Sequence, residues 1–272
     1  MNKFSVVMPL YFNENPMFFK EAVESLLNQT LIPDELIIVV DGPVGEKLQT
    51  ELDIFSDNKK IKIIWLEENH GIGFARKKGI EKASHNILAV MDSDDISIKK
   101  RFELQLPFIV KENFEVVGGL IEEFDKEIGD TGLIRKLPIL CKDIYKYGKW
   151  RMPVNNVTLM FTKDVYDKAG GYPELRSGED WHLVAKWLAN GAKFYNLNSV
   201  IVNVRGGPEM IKRRKTFNFQ YHQLKVFPFM YKLKYIGIFH LFMNIFIRLI
   251  LMVMPTLVTK YLYKFFLRSN KR

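Results

Sequence analysis

Four strand-like segments, the apolar runs 4–10, 35–40 and 87–91 and the segment 61–66, alternate with segments of helical spacing through the first third of the chain. The run 87–91, five apolar residues with no polar alternation, reads as a strand buried on both faces. Phe18, Ala22 and Leu26 give residues 17–28 a helical period, and residues 45–55 and 72–83 read as further helices. This β-α-β-α order predicts an α/β chain on a mainly parallel sheet with helices on both faces. Ligands of such sheets lie beyond the C-terminal strand ends. There the chain sets "YFNE" at residues 11–14, "DGP" at 41–43 and "DSDD" at 92–95. Asp92, Asp94 and Asp95, crowded at one strand end, repel one another unless a cation sits among them.

The second half is more mixed. Residues 101–111 read as a helix, 116–124 as one or two strands around Gly118 and Gly119, and 157–162 as a strand. A short helix at 164–169 ends at Gly170 and Gly171, and an amphipathic helix covers 179–189. Strands at 194–197 and 200–204 precede a basic helix at 210–226. Charge divides the chain: residues 1–209 hold 27 basic and 31 acidic side chains, whereas 13 Lys and Arg but no Asp or Glu follow Glu209. We therefore expect a catalytic body at 1–208 and a basic helical tail at 209–272. A basic tail seeks nucleic acid or an anionic membrane. Large apolar residues dominate 235–258, which argues for lipid and against nucleic acid. A spanning helix wants about 20 apolar residues, and Arg248 and Pro255 interrupt this stretch. The expectation is one or two helices in the membrane interface, with Lys232, Lys234, Lys260, Lys264 and Arg268 at headgroups and Tyr231, Tyr261 and Tyr263 as anchors. A single span and a partner-binding helix pair are the alternatives. The single Cys141 suits a reducing compartment. The N-terminal apolar run reaches Pro9 too soon for a secretion signal and reads as a strand.

Several motifs have a chemical and a structural reading. The D-x-D spacing of Asp92 and Asp94 lets two carboxylates face one pocket, where Mg²⁺ or Mn²⁺ takes oxygen ligands beside substrate phosphates. The same residues read otherwise as a helix cap, with Asp94 or Asp95 capping the helix that follows. Asp41 reads as an acceptor for a base N–H or ribose hydroxyl, or as part of an Asp-Gly-Pro turn. "NHGIGFARKKG", 69–79, is G-x-G-x-x-R after a third strand, not a dinucleotide fingerprint. It brings Arg76 and Lys77 near an anion, or else presents a solvated basic face. Glu179 and Asp180 open a helix, where acids are favoured by the dipole, and where either is placed to act as a general base. The five histidines are scattered, and no zinc-hydrolase, P-loop or G-x-S-x-G motif occurs. His70 and His182 read as polar bystanders.

"FSVVMPLYFNE", "DELIIVVDGP", "NHGIGFARKKGIEKA", "ILAVMDSDD", "KAGGY" and "GEDW" occur in the order and spacing of glycosyltransferase family 2, which residues 3–205 resemble. The resemblance implies a GT-A, Rossmann-like fold and an inverting enzyme using nucleotide sugars, most often UDP-sugars, with Mg²⁺ or Mn²⁺. It is similar to the non-processive bacterial transferases of exopolysaccharide and O-antigen assembly, of the amylovoran type. By that resemblance Pro9 and Glu14 line the nucleotide pocket, Asp41 meets uracil, and Arg76 is the nucleotide-side arginine. Asp92 lies near ribose and donor sugar and shares the metal with Asp94; Asp95 supports them. Asp180 matches the general base, with Glu179 beside it. Lys77 stands where many relatives have Asn, and "PVNNVTLMF" lacks a frequent His, so Asn155 or Asn156 touches acceptor or donor. The Q-x-x-R-W pattern of processive synthases is absent, which implies one sugar per encounter. A lipid-linked acceptor and a place at the cytoplasmic face of the bacterial inner membrane complete the expectation. The rival is a catalytically inactive GT-A scaffold or nucleotide-sugar sensor.

Overall fold

β1 (Phe4–Tyr11), β2 (Glu35–Asp41), β3 (Ile61–Leu66) and β4 (Ile87–Val90) pair in parallel in the order β3-β2-β1-β4. The structure, a computed structural model, describes residues 2–175, 177–206, 216–254 and 269–270. α1 (Pro16–Leu27), α2 (Glu46–Ser56) and α3 (Ile72–Glu81) make the crossovers. The strand order turns back between β1 and β4, and the crevice at such a reversal is where open α/β sheets bind ligands. Asn15 caps α1, its side-chain oxygen accepting from Met17 N–H, and Pro16 occupies the first helical position.

Beyond β4 the parallel expectation gives way to a mixed sheet. β8 (Met160–Thr162) runs antiparallel to β4, and β6 (Val116–Phe124) antiparallel to β8. β9 (Phe194–Arg205) lies parallel to β6 and antiparallel to the two-residue β5 (Ile96–Ser97). β7 (Leu133–Arg135) and the Ser269–Asn270 pairing (β10) bring the sheet to ten strands among the described residues. The two strands expected at 194–204 are one, with register shifts opposite Gly119, Leu120 and Ile121. α4 (Arg101–Val110), α6 (Lys163–Lys168) and α7 (Glu179–Ala189) fall where the sequence placed helices, whereas α5 (Cys141–Gly148) was not foreseen and β5 and β7 are too short to show a period.

Each face of the sheet carries its own apolar cluster. Phe4, Val6, Met8 and Leu10 of β1 pack towards α1, α2 and α4; Val7, between them, packs with the α3 and α7 side. This double burial explains why β1, β2 and β4 read as apolar runs, whereas β3, at the end of the strand order, is only partly buried and carries the exposed Lys62 and Trp65. Burying each such side chain contributes about 1.5–3 kcal/mol. A third cluster joins α7 to α8 (Phe217–Lys232) through Trp181, Ala185, Val226, Phe227 and Met230, with Leu241 of α9 (Ile238–Val253) packed against it. The helix expected at 210–226 begins, among the described residues, at Phe217, and its first part lies outside them, as do the 208/209 boundary and residues Pro255, Lys260, Tyr261, Tyr263, Lys264 and Arg268.

Candidate active site

The acidic strand ends converge on the crevice. Glu14, just past β1, accepts from the Ser93 hydroxyl at 2.7 Å, joining the loop after β1 to the loop after β4. Asp95 does not cap α4, whose N-terminal Lys100 makes no side-chain cap. Its Oδ1 instead accepts from Arg205 N–H at 2.8 Å, while Arg205 Nε donates to the Asp94 carbonyl at 2.8 Å. The Arg205 guanidinium also pairs with Glu21 and lies over Phe18 at 3.9 Å, fastening the acidic loop to α1. Asp95 is buried; burial, then Asp94 and Asp92, raise its pKa well above the ordinary carboxylate value. Asp92 and Asp94 are half-buried at the mouth.

Beneath this loop the buried Arg101 donates to the Val90 carbonyl at 2.9 Å and to Gln105 Oε1 at 3.1 Å. Burial lowers its pKa to about 9, against the pull of Asp92 and Asp95. Gln105 passes the connection on to the Val117 and Thr158 carbonyls. The sequence reading missed this pair. Its signal was two polar residues four apart beside the apolar stripe Phe102, Leu106 and Ile109. Arg205 was missed too, since its partners lie up to 184 residues away.

Arg76 ties the acidic loop to the start of α7. Fully enclosed, it donates to Asp92 Oδ1 at 2.5 Å and to Glu179 Oε1 at 2.9 Å. Asn156, with its amide oxygen turned to the guanidinium, accepts from both terminal nitrogens at 3.1 Å, and the Tyr172 ring lies 5.8 Å away. Burial opposes the Arg76 charge, but Asp92, Glu179 and Asp180 outweigh it and hold its pKa above the ordinary value. Glu179 is also buried, and burial followed by Asp180 pushes its pKa up to about 7, with Arg76 restraining the rise. Its approach depends on Gly73: a Cβ there would meet Glu179 Cγ at 2.8 Å.

The remaining expected residues fall at different distances from this cluster. Asp180 is half-buried in the first turn of α7, where Trp181 N–H donates to its Oδ1 at 2.7 Å. Asp41, at the end of β2, accepts from His70 N–H and Gly71 N–H, both at 2.8 Å, so both carboxylate oxygens hold the 69–71 loop. Pro9 is enclosed within β1 opposite Val39. Asn155 donates to the Gly119 carbonyl at 2.8 Å inside the sheet, while Lys77 pairs with Glu174 at 3.0 Å on the surface. His182 is buried, its Nδ1 2.7 Å from the Gly178 carbonyl, and burial lowers its pKa.

The sequence pattern of glycosyl transferase family 2 matches residues 5–169. The chain belongs to glycosyl transferase family 2. This family 2 chain is 35% identical over 263 residues to the UDP-Gal:alpha-D-GlcNAc-diphosphoundecaprenol beta-1,3-galactosyltransferase of Escherichia coli, covering 96% of this chain and 95% of that protein. It is 32% identical over 263 residues to the amylovoran biosynthesis glycosyltransferase AmsE of Erwinia amylovora, covering 96% and 98%. In fold the family 2 chain is similar to S. aureus TarS 1–349 in complex with UDP-GlcNAc, with a TM-score of 0.63 at 20% identity over 83% of this chain and 65% of that one. It is also similar to the mannosyltransferase PcManGT from Pyrobaculum calidifontis in complex with GDP-Man and Mn2+, with a TM-score of 0.66 at 14% identity over 85% and 64%. The α/β fold is thus GT-A-like, and the chain is a glycosyltransferase. The family match takes in Arg76 and Asp92–Asp95 and ends before Glu179 and Asp180, which the two full-length relatives cover.

Proposed function

We propose that this transferase moves one sugar from a UDP-sugar to a hydroxyl of a lipid-linked glycan, with inversion, during assembly of a bacterial surface polysaccharide at the cytoplasmic face of the inner membrane. The observation that carries the reading is the buried Arg76 bridge, which sets Asp92 of the acidic loop and Glu179 beside Asp180 around one guanidinium. The activity of the E. coli relative supports the donor and acceptor classes, and the amylovoran role of the Erwinia relative supports the polysaccharide setting.

In this reading Asp180 accepts the proton of the acceptor hydroxyl as its oxygen attacks the anomeric carbon and the bond to the diphosphate breaks. A single displacement inverts the configuration. The donor set fits a hard divalent cation: carboxylate oxygens of Asp94 and Asp92, with no described cluster of three acidic, His or Cys side chains able to hold a metal unaided. Asp94 and Asp92 would hold a Mg²⁺ or Mn²⁺, which would supply charge neutralisation to the departing diphosphate. Arg76 draws Asp92 and Glu179 together, Arg205 and Arg101 hold the acidic loop, and Glu14, Asp41, Pro9, Asp95 and Asn156 shape the nucleotide side. Absence of the processive Q-x-x-R-W pattern supports a single addition.

The test is incubation of the full-length protein with UDP-sugars and a GlcNAc-diphosphate lipid, followed by NMR of the product. We expect one new glycoside of configuration opposite to the donor's. Retained configuration, or no transfer from any UDP-sugar by folded protein, would contradict the proposal.

A further inference from the structure

α9 is built inside out. Asn244, 4% exposed, faces the body and donates to the Lys149 carbonyl at 2.9 Å. Arg248 also turns inward, its guanidinium 5.6 Å from the Trp181 ring and 5.8 Å from Phe227. The outward side is apolar: Phe239 (64% exposed), Phe242 (65%) and Phe246 (58%) form one stripe with Leu249 and Ile250. Single exposed apolar residues are ordinary, but a continuous stripe of large ones marks an interaction surface.

We propose that this stripe seats the protein on an anionic lipid bilayer, with α9 lying in the plane of the interface. The inference rests on the lipid-linked acceptor proposed above and names the surface that meets its membrane. Charge selects the occupant: 13 Lys and Arg but no Asp or Glu follow Glu209, and exposed Lys225, Lys232 and Lys234 lie on the same helical hairpin. A field of one sign complements anionic headgroups. Length selects the orientation. Sixteen residues extend about 24 Å at 1.5 Å each, short of a hydrocarbon core of about 30 Å. Among the described residues no helix is long and apolar enough to cross. Arg248 interrupts the apolar stretch only along the sequence; in space it stays with the body and need not enter lipid. The same packing reaches the site, since Trp181, next to Asp180, contacts both Arg248 and Phe227, the latter at 5.3 Å. The seat therefore holds the base-bearing turn at a set height above the bilayer.

The test is flotation of the full chain with vesicles of equimolar phosphatidylcholine and phosphatidylglycerol. We expect wild type to float, and Phe242→Ser with Phe246→Ser to lower the lipid-bound fraction at least about ten-fold while stabilisation by UDP is unchanged. Flotation of the double variant as wild type would overturn the proposal. So would a lipid-indifferent wild-type dimer that the double variant dissociates, which would make the stripe a protein interface. In a Cys141→Ser background, depth quenching of fluorophores at Phe239→Cys, Phe242→Cys, Phe246→Cys and Ile250→Cys should give one common depth. A gradient from 239 to 250 means a crossing helix and contradicts the planar seat. Normal flotation without any nucleotide-induced stabilisation would sink the donor reading and leave this one standing.

Discussion

The acidic crevice and the outer face of α9 treat polarity in opposite ways. In the crevice, charges are taken out of water and each buried one meets a protein partner: Arg76 meets Asp92 and Glu179, and Asp95 meets the Arg205 backbone. On α9, polar groups are turned in and phenylalanines are left in water. Burying a charge is costly unless it is paired, so the crevice is a place where the fold accepts strain of charge for chemistry. Apolar surface left exposed costs stability in solution and points to something that covers it. In the first region the protein pairs its own buried charges; in the second the packing leaves an apolar face without a protein partner among the described residues.

The largest expected effect tests the chemical half of the contrast. Asp180→Asn should lower kcat about 10²–10⁴-fold with little change in KM for the donor; near-normal turnover would remove Asp180 as the base. Arg76→Met leaves Asp92 and Glu179 facing each other without their cation, and urea unfolding should show a loss of about 3–5 kcal/mol. A loss below about 1 kcal/mol would place the bridge among weak surface pairs.

Glu179 sharpens the comparison through pH. Its pKa is raised from 4.5 to about 7 in the folded chain, so between those values the folded state holds the proton more often than the unfolded state. Stability from this group is therefore present below pH 4.5, falls as pH rises to about 7, and is flat above. Integrated, the change is about 3 kcal/mol. Glu179→Gln cannot titrate, so its stability relative to wild type should rise between pH 5 and pH 8; parallel curves would contradict the burial argument. The smallest effect is on the other side: Phe246→Ser should alter stability in solution by only about 0.5 kcal/mol, because most of the residue is already in water.

Much of the frame was legible because it is local. β1, β2 and β4 show as apolar runs, and the acids after β1 and β4 fall in the crevice that the strand order creates. The bridge was not legible, since Arg76 and Glu179 are 103 residues apart and nothing in either segment announces the other. Asp41 illustrates a subtler limit. Its place at a strand end could be read, but the use of both oxygens on His70 and Gly71 depends on a loop that follows the next strand. Arg248 shows the same for the tail: along the chain it divides an apolar stretch, while the helix turns it inward and leaves the outer stripe continuous. Sidedness comes from which residues the body takes, and sequence alone does not say which.

The acidic crevice is proposed to hold a nucleotide diphosphate with a divalent cation. Thermal unfolding of the full-length protein with UDP, with and without Mn²⁺, beside GDP and an Asp94→Ala variant, tests it without an acceptor. UDP at about a hundred times its Kd should add about 2.7 kcal/mol when Mn²⁺ is present, and Asp94→Ala should abolish the gain. Equal stabilisation with and without Mn²⁺, or none by either nucleotide in folded protein, would contradict the account.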